Sequence, residues 1–145
     1  MARILAFDYG RARIGVAVSD ERQIICSPAF VIKVEKNMSL TIKSIKEKAK
    51  AYGAVELLVV GLPLLLSGKE GDMALEAKAF ADALSKEFGL PVIMWDERLT
   101  SSMADRLMKE DDRSRKERAK ASDTLSATLI LQNYLDMKHL KNTKN

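Results

Sequence analysis

Apolar and polar positions along this chain keep changing period, and each change marks a predicted element. Residues 3–8 (RILAFD) and 13–19 (RIGVAVS) are short apolar runs separated by a polar, glycine-containing turn, which predicts a β-hairpin. Residues 23–31 predict a third strand, and Pro28 pushes it toward a sheet edge because proline cannot donate to a ladder. Asn37 can cap a helix over residues 37–52, with Leu40, Ile45 and Ala49 among its apolar positions and Gly53 at its end. Residues 55–61 (VELLVVG) are almost continuously apolar, as a strand covered on both faces requires. After a loop over 62–71, Asp72 can cap a second helix, in which Met73, Ala77, Phe80, Ala81, Leu84 and Phe88 recur at helical spacing. Gly89 stops that helix, and residues 91–96 predict another buried strand. Thr100 predicts the N-cap of a short helix over 100–108. A final helix is expected over 119–140, with Leu125, Leu129 and Leu135 turned inward.

The predicted order is β-β-β-α-β-α-β-α-α. Three meandering strands followed by two αβ units imply an α/β fold, a mixed five-stranded sheet with helices on both faces. Right-handed crossovers make the first, fourth and fifth strands parallel, with their carboxyl ends on one edge. Open α/β sheets bind ligands at that edge. Asp8 closes the first strand there, and Glu97 follows the fifth.

Composition narrows the class. The chain has 145 residues, 47% of them hydrophobic and 30% charged, which suits one domain over residues 1–140 with a short disordered tail at 141–145. The single cysteine, Cys26, rules out an intramolecular disulfide and any Cys-based zinc site. No apolar stretch is long enough for a signal peptide or a membrane span, so a cytoplasmic protein without a membrane partner is expected. The net charge of +4 is mild and is compatible with ordinary solubility. Its distribution says more. Arg113, Arg115, Lys116, Arg118 and Lys120 stand within eight residues against one acid, Glu117.

Asp8, Glu97 and Asp123 come from separate elements, and three such carboxylates are what magnesium-assisted phosphodiester cleavage requires. Hard cations take oxygen ligands, and a metal pair stabilises charge on both the attacking and the leaving oxygen. Each acid alone has a plainer reading. Asp8 is also a common turn residue, residues 96–98 could form a solvated loop with an internal ion pair, and Asp123 could complement a helix dipole.

Four segments bear on that choice: FDYGRARIGVAVSD (7–20), VVGLPL (59–64), WDERLTSSMA (95–104) and SDTLSATLILQNYL (122–135). They closely resemble the YqgF family, bacterial proteins related to Holliday-junction resolvases and described as pre-16S ribosomal RNA nucleases. The resemblance covers nearly the whole chain. It implies an RNase H-like fold and a metal-dependent nuclease, using Mg2+ or Mn2+, with Asp8, Glu97 and Asp123 as catalytic and metal-holding acids. It implies a ribosomal RNA precursor as substrate, with branched DNA as the alternative, and leaves monomer or dimer open. Two departures stand out. The resolvase relatives carry a further Asp where this chain has Ser126, and the family's loop often carries Asn and Asp where this chain reads Leu64, Leu65, Leu66 and Ser67.

Several basic residues are candidate substrate contacts. Arg11 and Arg13 flank the hairpin turn, Arg98 follows the third motif, and the 113–120 run (Arg113, Arg115, Lys116, Arg118) can clamp a phosphate backbone. The plainer readings are hairpin geometry, a salt bridge and a solvated surface. GRARIG lacks the central glycine of a dinucleotide fingerprint, and Gly68-Lys69 is followed by Glu70 rather than the Ser or Thr of a P-loop. Trp95 and Cys26 read as core residues, and His139 has no second histidine to work with. Actin-like ATPases share the Asp-x-Gly hairpin but close two such domains over nucleotide. A non-catalytic nucleic-acid-binding module is the other rival, which cleavage assays separate from a nuclease.

Overall fold

The computed structural model describes residues 2–96 and the helix Arg115–Thr143, the latter with side chains from 124 to 141. Its strands are β1 (Arg3–Asp8), β2 (Arg13–Ser19), β3 (Cys26–Lys33), β4 (Val55–Leu62) and β5 (Val92–Asp96). Its helices are α1 (Met38–Ala49), followed by a 3-10 turn (Lys50–Tyr52), α2 (Asp72–Phe88) and α3 (Arg115–Thr143). The expected helix over 100–108 lies outside the described residues, as do Glu97, Arg98 and Arg113.

All five strands form one sheet in the order β3-β2-β1-β4-β5. β1 is antiparallel to β2 and parallel to β4, and β4 is parallel to β5. Pro28 lies on β3, an edge strand, where its missing N–H costs nothing. β3 starts at Cys26 rather than 23 because residues 20–25 are spent on a turn. There the Asp20 carboxylate accepts from the Ile24 and Ile25 N–H groups at 2.7 and 2.9 Å, and Gln23 takes φ 59°.

Alternation along each strand sorts the core into two layers. Leu5, Phe7, Ile14, Val16, Leu58 and Val60 pack with Ile42, Ile45 and Ala49 of α1 and Phe80, Ala81 and Leu84 of α2. Ile4, Ala6, Ala17 and Val59 pack with Ala127, Ile130, Leu131, Tyr134 and Leu135 of α3. Leu58, Val59 and Val60 of β4 are therefore all fully buried, which explains the unbroken apolar run.

Helix ends follow local chemistry with one correction. Asn37 caps α1, its Oδ1 accepting from the Leu40 N–H at 2.9 Å, and Gly89 ends α2 in the left-handed conformation at φ 64°. Asp72 is not a cap. Gly71 holds the extended cap position, and Asp72 opens the first turn, where its charge still complements the helix dipole. Leu40 is exposed, with Ile42 taking the buried place. On α3, Leu125 and Leu129 are only half-buried, and the inward stripe shifts to Ala127, Ile130, Leu131, Tyr134 and Leu135. That helix also runs through Thr143, past the expected end at residue 140.

Candidate active site

Asp8 closes β1 at the carboxyl edge of the sheet. It shares a face with Ile4 and Ala6, which pack beneath α3, whereas Leu5 and Phe7 point to the α1 and α2 side. Its partner on β2 is Gly15, in direct register. On β4 the pairing Phe7–Val60 brings Gly61 about level with Asp8. Gly15 and Gly61 belong to the same face as Asp8, since they alternate with Ala17 and Val59 of the α3 layer. On both flanks, then, the strand position level with Asp8 carries no side chain. Sequence reading missed this flanking pair, although strand alternation and the two glycines were visible in it.

Helix α3 runs antiparallel to β1. Its late turns sit at the amino edge: Lys138 Nζ contacts Gln23 Oε1, and the His139 ring lies 2.9 Å from the Gln23 carbonyl oxygen. Gln23 in turn donates to the Ala2 carbonyl at 2.8 Å, just before β1 begins. Working back along the helix, residues 127–131 belong to the layer over Ala6 and Ala17. Asp123 lies four residues earlier, about 6 Å along the axis at 1.5 Å per residue. Asp8 lies two residues past Ala6, about 7 Å along its strand. The helix thus carries position 123 toward the level of Asp8. β5 ends at Asp96 in register with Leu62, two strands from β1, about 9–10 Å away. Glu97 comes next in the chain.

The cations divide between the two faces. Arg11, in the hairpin turn, is held against α2. Its Nε donates to both Glu76 carboxylate oxygens at 3.1 and 3.0 Å, and Nη2 to Oε2 at 2.6 Å. That pairing lowers the Glu76 carboxyl below its ordinary range and raises the Arg11 guanidinium. Tyr9 packs on Phe80 at 5.2 Å, and its hydroxyl titrates above the ordinary tyrosine value, chiefly through burial and then through Glu76. Arg11 is therefore committed to the α2 side, away from the face of Asp8. Arg13 opens β2 on the Asp8 face. Arg115, Lys116 and Arg118 stand in the first turns of α3, toward the same edge.

The remaining residues singled out by sequence are structural. Trp95 is partly buried and packs edge-on against Tyr134 at 5.9 Å. The half-buried Cys26 thiol donates to Gln132 Oε1 at 3.2 Å, and burial, then Asp136, pushes it above its ordinary value. Among the described residues, no three His, Cys, Asp or Glu side chains gather closely enough to hold a metal. Nor is any described helix long and apolar enough to cross a membrane.

Comparison with known proteins agrees with this architecture. A protein of Protochlamydia amoebophila, provisionally named a pre-16S rRNA nuclease, is 41% identical over 140 residues, covering 93% of each chain. A Natranaerobius thermophilus protein of the same name is 42% identical over 140 residues, covering 97% of this chain and 98% of its own. Among solved structures, the T. thermophilus RuvC complex with a Holliday junction substrate superposes with a TM-score of 0.55 at 12% identity, covering 96% of both chains. The Fowlpox virus resolvase gives 0.56 at 12% identity, covering 93% of this chain and 97% of its own. At such low identity these two speak for the fold alone, which is RNase H-like. Residues 2–137 match the RuvX family, described as Holliday junction resolvase, so the chain belongs to the RuvX family, the YqgF family of the sequence resemblance.

Proposed function

We propose that this single-domain protein is an intracellular, divalent-metal-dependent nuclease that hydrolyses phosphodiester bonds in maturing the 5′ end of pre-16S ribosomal RNA. Asp8, Glu97 and Asp123 are its catalytic acids. The observation that carries the reading is the setting of Asp8, at the carboxyl edge, between two glycine positions, on the face that α3 covers. A bulky phosphodiester needs that clearance.

The donor set is one of carboxylates, without cysteine or histidine, which suits Mg2+ or Mn2+ rather than zinc. Asp8, Glu97 and Asp123 would hold the ion, which supplies charge stabilisation for the attacking and leaving oxygens. The Asp8 carboxylate orients that site from a rigid strand end. Arg13 and the cations opening α3 hold flanking phosphates and fix the register of the strand being cut. Arg98 has a similar part beside Glu97.

The family description also names Holliday junctions, so a four-way DNA junction is the second substrate to test. Ser126 on α3 argues for RNA, because the resolvase relatives have a further acid there. The deciding assay offers structured RNA, single-stranded RNA and a four-way junction to wild type and Asp8→Asn, with and without magnesium or manganese. Wild type should cleave RNA only with metal, and Asp8→Asn should still bind it uncut. Wild-type rates for Asp8→Asn would overturn the assignment. Binding without cleavage under every condition would make the protein a binding module.

A further inference from the structure

The end of β3 adds a cation that sequence reading passed over. Lys33, the last residue of β3, lies directly opposite Arg13, the first residue of β2. Both belong to the face of the sheet that carries Asp8, because their neighbours Ile14 and Ile32 turn into the opposite layer. Lys33 is exposed. Its backbone is nevertheless fixed on both sides. The Val34 N–H donates to the Ala12 carbonyl at 2.9 Å, and the Glu35 N–H donates to Thr41 Oγ1 at 2.9 Å. Arg13 is held as tightly, since the turn brings Gly10 so close that a Cβ there would stand 2.5 Å from the Arg13 carbonyl oxygen. The register thus brings two cationic side chains to one end of the β2–β3 pair, on one face.

Resting on the nuclease reading, we infer that Lys33 and Arg13 together form a seat for a phosphate of single-stranded nucleic acid beside the scissile one. Strand geometry sets the distance. Asp8 pairs with Gly15, and Arg13 lies two residues beyond it on the adjoining strand, about 8 Å from Asp8 between Cα atoms. Lys33 is one strand further out, about 12 Å away by the same spacing. That is too far to share the phosphate at Asp8 and suits one further along the strand. The seat lies on the β3 side of Asp8, whereas Asp96 lies on the β5 side, so the nucleic acid crosses the sheet edge above β1. The exposed Glu35, two residues on, is the acid nearest in sequence and bounds the seat on the α1 side.

The test measures binding of a single-stranded RNA oligomer at several salt concentrations for wild type, Lys33→Ala, Lys33→Arg and, as a control on the α1 surface, Lys43→Ala. It adds cleavage kinetics in magnesium. Losing one phosphate contact should lower the log–log salt slope by about 0.7 in Lys33→Ala, with Lys33→Arg restoring it and Lys43→Ala leaving it unchanged. In cleavage, Lys33→Ala should raise KM several-fold and leave kcat nearly unaltered. An unchanged slope and KM in Lys33→Ala, or an equal effect in Lys43→Ala, overturns the seat. If no variant cleaves yet Lys33→Ala alone loses slope, the seat stands and the nuclease reading fails.

Discussion

Asp20 shows how much a single exposed side chain can decide. Its carboxylate accepts the Ile24 and Ile25 N–H groups, and those two hydrogen bonds hold its pKa below the ordinary 3.8. Because the folded value is depressed, the stability it contributes is fully present above the unfolded value and is lost as pH falls through the folded one. Asp20→Asn should therefore melt below wild type at pH 7, and the gap should close as pH drops beneath 3.8. Thermal melts across that range check it, and a gap independent of pH would show that the charge has no part. At this scale some residues were legible and others not. Asn37 was recognisable as a cap because side-chain capping is local chemistry. The partner of Arg11 was not, since Glu76 lies sixty-five residues away and only the packing of α2 on the hairpin brings them together.

Elements were legible where their period was strong. β4 read correctly because burial on both faces leaves an unbroken apolar run, and α1 and α2 were found from spacing, with the Asn37 cap and the Gly89 stop right but the Asp72 cap and the inward Leu40 wrong. The stripe of α3 did not. Leu125 and Leu129 are the larger apolar residues, yet Ala127 is the one fully buried, because a small side chain lets the helix approach the small Ala6 and Ala17 beneath it. Leu135 belongs to this layer and is wholly enclosed. Leu135→Ala should cost about 2–5 kcal/mol from lost burial and the cavity left behind. The half-exposed Leu125→Ala should cost less than half as much. Chemical denaturation of the two variants compares them, and equal losses would contradict the packing of α3 described above.

At the scale of the whole molecule, the parallel set β1, β4 and β5 could be read ahead because handedness leaves few alternatives once the strand sequence is known, whereas the order β3-β2-β1-β4-β5 came from the structure. The site was legible only in part. The carboxyl edge and Asp8 follow from topology, but the two glycine positions beside Asp8 emerge only when register is known. The proposed grouping of Asp8 with Glu97 and Asp123 has a thermodynamic consequence that needs no substrate. Two carboxylates held about 4 Å apart repel by about 4 kcal/mol at an effective dielectric of 20. A metal-free site must carry that strain, open, or keep a proton on one acid. On that proposal magnesium or manganese would remove the repulsion and bind the folded chain alone, so either should raise the melting temperature of wild type in a concentration-dependent way. Asp8→Asn removes one charge with little change in volume. It should melt at or above the metal-free wild type and respond much less to added ion. A melting temperature that rises equally in both proteins would mean that the ion binds elsewhere, and Asp8 would then lose its place as a ligand.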